Sequence, residues 1–436
     1  MGNSSEPLLS VITPSLNNAT YIRQTIESVL TQDYPHVEHL VIDGGSTDGT
    51  VAILREYGCR YPDRFRWVSE QDEGQSDALN KGVTLARGEF ISWQNADDFY
   101  LPNAFAGPIS YLIAHSNVAM VFSQVLTVNG SGAIISRSPG PPFEYERVLD
   151  HDDYARLLFG DFIATQGVFM RRAALLSCGG VAVNLHYVMD YDLWLRLGLR
   201  YAMAYLPGVR GVWRLLPSVK SEVGFLQSRR EVVHVIERAI SDPLLAPDLV
   251  QQGRMALQRH LLEALMQELL AGEDSRASVV LNQAVEQDPA LSQWSYLCKR
   301  VLMTPAMTEP VIGYVGPTQA VPLPAKVLAL LHKAGLAHMS QTRQIVALWH
   351  LYLALQHCQQ RRSPRMVVAH LLRALQVDRQ WLSYSAAKVV LLRLLCGDHV
   401  VYVLLALFRA LRTARLASGL GNRRYDGTGS FYVCER

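Results

Sequence analysis

The sequence predicts an α/β domain with a mostly parallel sheet over residues 1–225, followed by an all-α domain over residues 226–436. In the first hundred residues, short apolar β-favouring runs alternate with amphipathic helical stretches, the pattern of strand–helix units joined by right-handed crossovers. Beyond about residue 225 only helical periodicity persists, and a Pro-containing gap at residues 303–324 offers a further subdivision. A chain of 436 residues has room for both cores, and 49% hydrophobic with 18% charged residues describes a globular protein. The net charge of +2 argues against an overall electrostatic drive toward nucleic acid, local patches aside, and no nucleic-acid partner is expected.

Leu8–Thr13 is an apolar strand closed by Pro14, and the following helix, Ala19 to Thr31, keeps Ile22, Ile26, Val29 and Leu30 on one face. Val37–Ile42 is the second strand; it stops at Asp43-Gly44-Gly45-Ser46-Thr47-Asp48-Gly49, whose Ser, Thr and Asp suit the start of a helix from Thr50. A third strand, Arg64–Ser69, precedes a helix from Gln75 to Ala86, and Arg87-Gly88 leads into a fourth strand from Phe90. A helix is expected from Leu101, then strands at Val118–Leu126 and Gly132–Ile135, and a loop at Ser138–Pro142. Asp150, Asp152 and Asp153 fit a helix start with carboxylates against the dipole better than a metal cluster. Thr165–Arg172 reads as a strand, and Asp190 opens a helix with Leu193, Trp194 and Leu197 on its apolar face.

The chemistry concentrates where strands end. Phe90-Ile91-Ser92-Trp93 runs into Gln94-Asn95-Ala96-Asp97-Asp98, and two adjacent carboxylates repel unless a cation sits against them. A divalent cation carrying a diphosphate answers that need, since Mg²⁺ and Mn²⁺ share one or two carboxylates with phosphate oxygens. The alternative is a helix start capped by Asp98, with Pro102 in the first turn. Thr13 and Asn17, Asp43, Asp72 and Asp97/Asp98 all fall at one edge of the expected sheet, where open α/β sheets bind ligands. Neither GxGxxG nor GxxxxGK[ST] is present, so phosphates would be held another way, and a metal fits.

Ser10–Asn17, Val41–Thr50, Asp72–Gly82 and Asn95–Asp98, taken as ordered blocks, resemble the family-two glycosyltransferases over roughly residues 7–220. The resemblance implies the GT-A fold, a Rossmann-like arrangement, and an inverting enzyme using a UDP-sugar. It implies that Thr13, Pro14, Ser15 and Asp43, with Asn17 and Gly44 beside them, hold the nucleotide base, and that Asp72 borders the uracil. Gln75, Asp77, Asn80 and Lys81 would face the nucleotide or sugar. Asn95, Ala96 and Asp97 would meet the ribose side, while Asp98, with Asp97, would hold a divalent metal, Mn²⁺ or Mg²⁺.

Asp190-Tyr191-Asp192-Leu193-Trp194-Leu195-Arg196 resembles the family's (E)D-x-x-LW-x-R block, which implies Asp190 as the general base, with Asp192 as its rival. A carboxylate can take the proton of an acceptor hydroxyl as that oxygen attacks the anomeric carbon. Two departures stand out. Met189 occupies a position often filled by Glu, and Leu216 replaces the His of the closing R-x-H-x-x-S stretch, removing an expected metal ligand. His186 is a substitute donor, and Arg214 and Lys220 are cations that would meet the diphosphate.

In the second half, helices are expected at Ser228–Ile240, Asp248–Ala271, Ala277–Gln287 and in five further segments between Ala325 and Ala417. Leu281/Ala284/Asp288 and Leu371/Ala374/Asp378 share one spacing, readable as helical-hairpin repeats or as coincidence. The apolar runs Val389–Leu395 and Val400–Leu411 fall short of the roughly 18–20 residues of a membrane span. They read as buried bundle core or, with Arg409, Arg412 and Arg415, as a helix lying on a membrane surface. Six scattered cysteines without a CxxC pair, and an N-terminus lacking a signal pattern, predict a cytoplasmic protein, membrane association being the variant. The acceptor would be a glycan, a lipid-linked sugar or a protein. The competing function is a scaffold or binding protein on a degenerate glycosyltransferase domain.

Overall fold

The computed structural model describes residues 6–137, 143–216, 224–271 and 273–292. The chain divides into two compact units, residues 1–264 and 265–436. The first unit is built on a ten-stranded sheet.

Its parallel half follows the expected order: β1 (Leu9–Ser15), α1 (Ile22–Leu30), β2 (Val37–Asp43), α2 (Thr50–Arg60), β3 (Phe65–Ser69), α3 (Gln75–Leu85) and β4 (Phe90–Trp93). β1 lies between β2 and β4, with β3 outside β2, and all these pairings are parallel. Every residue of β1 and β2 is buried, as a strand covered by helices on both faces requires. α1 buries the four apolar residues that define its stripe.

The other half departs from the expected pattern. No helix starts at Leu101; Phe99–Tyr100 is a short strand, β5, and the helix α4 spans Ala106–Ala114. Next come β6 (Val118–Val128), β7 (Ile134–Arg137), β8 (Arg147–Val148) and α5 (His151–Phe159). The segment read as one strand from Thr165 is a 3-10 turn at Thr165–Gly167, then β9 (Val168–Arg171) and α6 (Arg172–Ser177). α7 spans Met189–Gly198, and the long β10 (Ala202–Arg214) was not anticipated from periodicity. β9 runs antiparallel between β4 and β6, β10 is parallel to β6, and β5 closes the far edge antiparallel to β10. The sheet is therefore mixed, with its parallel part at β3-β2-β1-β4.

Two apolar clusters fill the layers. One joins Phe90, Tyr100, Phe105 and Phe169; the other joins Ile22, Ile26, Leu54, Tyr57 and Phe65. Each such side chain, fully buried, contributes about 1.5–3 kcal/mol. Asp150 and Asp153 form a reciprocal capping box at the start of α5, so this acidic run caps a helix.

α8 (Phe225–Ile240) and most of α9 (Pro247–Ala271) belong to the first unit, which thus extends past residue 225. Within the second unit, α10 (Asp274–Gln287) buries Ala277, Leu281 and Ala284. The Ser138–Pro142 loop, the helices expected from Ala325 onward, Leu371/Ala374/Asp378 and the apolar runs after Val389 lie outside the described residues. Among the described residues no helix is long and apolar enough to cross a membrane.

His39, in the middle of β2, is fully buried; its Nε2 lies 2.9 Å from Thr13 Oγ1 and its ring packs edge-on to Phe65. Burial pushes its pKa from 6.5 down to about 3, so it stays neutral in the folded protein. The unfolded chain gains a proton below pH 6.5 that the folded chain refuses, so this contribution is full above 6.5 and is lost as pH falls toward 3. In urea titrations at stepped pH, the wild type should lose up to about 1.4 kcal/mol per pH unit more than His39→Gln within that window.

Candidate active site

The C-terminal ends of β1 and β4, the start of α3, the 161–166 segment and the start of α7 surround a cavity of about 1140 Å³. Pro14, Ser15 and Asn17 bring the end of β1 to it, and Asn17 holds the left-handed conformation (φ 54°) that asparagine tolerates. Ser15 Oγ is buried and meets no partner among the described residues, a donor available to a ligand. Asp72, Gln75, Asn95, Ala96, Asp97, Asp98 and Asp190 also line the cavity.

Several expected site residues do not. Thr13 lies beneath the lining, bonded to His39. Asp43 is fully buried, and its carboxylate accepts from the backbone N–H of Gly45 and Ser46 and from the hydroxyls of Ser46 and Ser69. It shapes its own loop and does not reach the cavity. Gly44 matters through the space it leaves: a Cβ there would stand 2.9 Å from Asp72 Oδ2 and would push that carboxylate aside. α3 offers the cavity Gln75, Ala78 and Leu79, while Asp77, Asn80 and Lys81 sit on other faces. Lys81 pairs with Glu70 and Asp77 at 3.1 Å each, and Asn80 bonds both backbone groups of Val181.

The acidic pair divides its roles unexpectedly. Asp98 is 1% exposed; Oδ1 accepts the Arg214 backbone N–H at 2.7 Å, and Oδ2 accepts Gln166 Nε2 at 2.7 Å and Asn95 Nδ2 at 3.0 Å. Burial and then the charge of Asp97 push its pKa up to about 7, against the pull of those three donors. This carboxylate is committed to joining β4, β10 and the 3-10 turn. It caps no helix, and these donors occupy three of its roughly four lone-pair positions. Asp97 is half-buried, and among the described residues its carboxylate accepts only from its own backbone N–H; burial raises its pKa as well. Of the two, Asp97 has the more lone pairs to offer.

Arg214 is equally committed. Its guanidinium lies over the rings of Tyr21 (4.7 Å) and Phe99 (5.4 Å), donates to Gln24 Oε1 at 2.7 Å and to Asp97 O at 3.0 Å, and does not line the cavity. Buried among these partners, it braces the acidic loop from outside the cavity lining. Lys220 lies outside the described residues.

On the opposite wall, Asp190 Oδ2 accepts the Thr165 hydroxyl at 2.8 Å, in the first turn of α7. Its rival Asp192 is buried in a cluster with Arg196, at 2.8 Å, and Arg238, and does not face the cavity. Sequence reading missed Asp161, Thr165, Gln166, Tyr187 and Trp213, all lining residues. The only signal was the polar Thr165-Gln166 ahead of an apolar run, which a strand assignment absorbed. Asp161 keeps solvent contact through the cavity; the surrounding protein, and then the charge of Asp190, raise its pKa well above the usual range.

The charged lining is thus carboxylate throughout, Asp72, Asp97, Asp98, Asp161 and Asp190, with no Lys or Arg among the described lining residues. An anionic ligand entering there needs a cation with it. Among the described residues no three His, Cys, Asp or Glu side chains gather closely enough to enclose a metal ion. A cation shared between one carboxylate, phosphate oxygens and water fits this donor set. Leu216 lines the cavity and contributes no ligand, whereas His186 lines it with an imidazole.

Asp98→Ala strands three buried donors and should lower the unfolding free energy by about 2–4 kcal/mol, whereas Asp97→Ala should change it by less than about 1 kcal/mol. Denaturant titration of both variants measures the difference; equal losses would refute the division of roles.

Residues 10–180 match the model of the family described as "Glycosyl transferase family 2". The chain is 29% identical over 208 residues to an uncharacterised glycosyltransferase of Rickettsia typhi, covering 47% of this chain and 62% of the relative. It is 30% identical to the chondroitin synthase of Escherichia coli over 44% of this chain and 26% of that one. It is 29% identical to the PGL/p-HBAD biosynthesis glycosyltransferase of Mycobacterium bovis over 44% of this chain and 69% of the relative. The chain therefore spans less than two thirds of the first two relatives. Among solved structures, residues 1–349 of S. aureus TarS in complex with UDP superpose with a TM-score of 0.46 at 17% identity, covering 86% of this chain and 91% of that one. A likeness that distant decides nothing about the ligand here. Residues 10–180, the stretch that matches this family model, carry most of β1, all of β2 to β9 and most of the cavity lining.

Proposed function

We propose that the protein is an inverting glycosyltransferase that moves a sugar from a UDP-sugar to an acceptor hydroxyl, with Asp190 as the general base. The observation that carries this reading is one cavity that gathers the ends of β1 and β4 with Asp190 and, among the described residues, has carboxylates as its charged groups. Pro14, Ser15 and Asn17 receive the nucleoside, the unpartnered Ser15 hydroxyl being a ready donor. Asp72, which accepts the Gly74 N–H at 2.9 Å, borders the base, and Asn95 lies beside the ribose.

Asp97 is the residue that would hold a divalent cation, Mg²⁺ or Mn²⁺, whose chemistry is to neutralise the departing diphosphate. Asp190 accepts the proton of the acceptor hydroxyl while that oxygen forms its bond to the anomeric carbon and the bond to UDP breaks. Attack opposite the leaving group inverts the anomeric configuration. Thr165 fixes the Asp190 carboxylate so that its second oxygen accepts the Tyr191 N–H at 2.9 Å, which limits its rotation.

The acceptor, whether glycan, lipid-linked sugar or protein, and a cytoplasmic or membrane-surface setting belong to the same proposal. The helical half would serve acceptor, membrane or partner binding. Leu216 in the cavity wall favours a second reading, a domain that binds a nucleotide sugar without transferring it.

UDP release from a panel of UDP-sugars with Mn²⁺ separates the two. Asp190→Asn should lower turnover by about 10²–10⁴-fold while nucleotide binding persists. Asp97→Ala should weaken UDP binding in the presence of Mn²⁺ far more than in EDTA. No UDP release from any donor, or an Asp190→Asn variant as active as the wild type, would overturn the enzyme reading.

A further inference from the structure

His186, Tyr187 and Asp190 reach the cavity from one stretch that ends in the first turn of α7. That stretch is held from behind by α8, on the far side of the change in sequence character. Glu231 is buried, and its carboxylate accepts the backbone N–H of His186 at 3.1 Å on both oxygens, of Tyr187 at 2.7 Å and of Val188 at 3.3 Å. Successive backbone N–H groups converging in this way make an anion-binding concavity, filled here by the protein's own side chain. Val188 precedes α7 and has no side-chain acceptor of its own to cap the helix.

α8 touches the same region twice more. A Cβ at Gly224 would collide with the Tyr187 ring, so the tyrosine takes its seat against a glycine. Arg238 pairs with Asp192, two residues beyond Asp190 and already bound to Arg196. Glu231 and Arg238, seven residues apart, lie on one side of α8, and Gly224 is the residue just before its first turn.

We propose that Glu231 is a positioning residue for Asp190: by fixing the 186–188 backbone it sets where the base carboxylate stands, and so governs turnover and not donor affinity. This rests on the role given to Asp190 above. A base displaced by about 1 Å from its reacting hydroxyl loses up to about 10²-fold in rate.

The test compares wild type, Glu231→Gln and Glu231→Asp in the full chain. Gln keeps the shape but leaves one acceptor oxygen and turns an NH₂ toward backbone donors; Asp keeps the charge at shorter reach. Hydrogen-exchange mass spectrometry should show faster exchange in Glu231→Gln for a peptide spanning 183–190, with wild-type rates in β1 to β4. With the UDP-sugar that the wild type turns over best, kcat should fall at least about 10-fold and donor KM stay within about 2-fold, with Asp recovering more turnover than Gln. Unchanged kcat in an active protein, or a rise in donor KM matching the loss of kcat, would overturn the positioning role alone. A wild type that turns over no UDP-sugar would remove the base assignment and this proposal with it, while the exchange data would still report whether Glu231 holds the backbone.

Discussion

The carboxylate of Asp98 is the junction on which the cavity depends. It receives the Arg214 backbone N–H from the end of β10, an amide from Gln166 in the 3-10 turn and another from Asn95 in its own loop. Three segments far apart in sequence thus end on one buried group. An unsatisfied buried donor costs more than a hydrogen bond returns, so these partners constrain one another's positions. Asn95 passes the constraint on to Gln75 at 2.9 Å, which ties the start of α3 to the same point. Thr25 of α1 donates to the carbonyl oxygens of Ala96 and Asp98, closing the loop from the other side.

A rigid acidic loop explains how neighbouring aspartates can differ in role. Asp98 holds its position through donors that approach from the protein, and Asp97 is left facing the cavity without them. Arg214 completes the arrangement by placing its charge behind the loop, between two aromatic rings, where it steadies the Asp97 carbonyl. Among the described residues the charged lining is negative, and the Arg214 guanidinium is spent on architecture.

The opposite wall follows the same logic with different parts. Thr165 orients Asp190, while Asp192, two residues on, is drawn into the protein by Arg196 and Arg238. A helix rotates about 100° per residue, so side chains two apart point to opposite sides. One becomes cavity wall and the other an anchor. α8 supplies part of that anchor, so this cavity wall draws on sequence beyond residue 225.

The sequence by itself determined the parallel half of the sheet, because strand and helix periodicities there are local and uninterrupted from Leu9 to Trp93. It also determined the blocks that place Pro14, Ser15, Asn17, Asp72, Asn95, Asp97 and Asp190 around one cavity. Tertiary structure alone decided which acidic and basic side chains are spent on the fold. Asp43, Asp98, Asp192 and Arg214 carry the same chemistry as the other candidate site residues, and only the hydrogen bonds and ion pairs of the folded chain show that theirs are taken up by the protein itself. It also decided the strand β10, whose Pro207 and Gly208 interrupt the alternation, and whose pairing with β6 shifts register there. Glu231 illustrates the limit most clearly: one glutamate in a helix looks like any solvated residue until three amides from 43 to 45 positions away converge on it. Periodicity reports what a residue does to its own element, and hydrogen bonds across the fold are written in no local pattern.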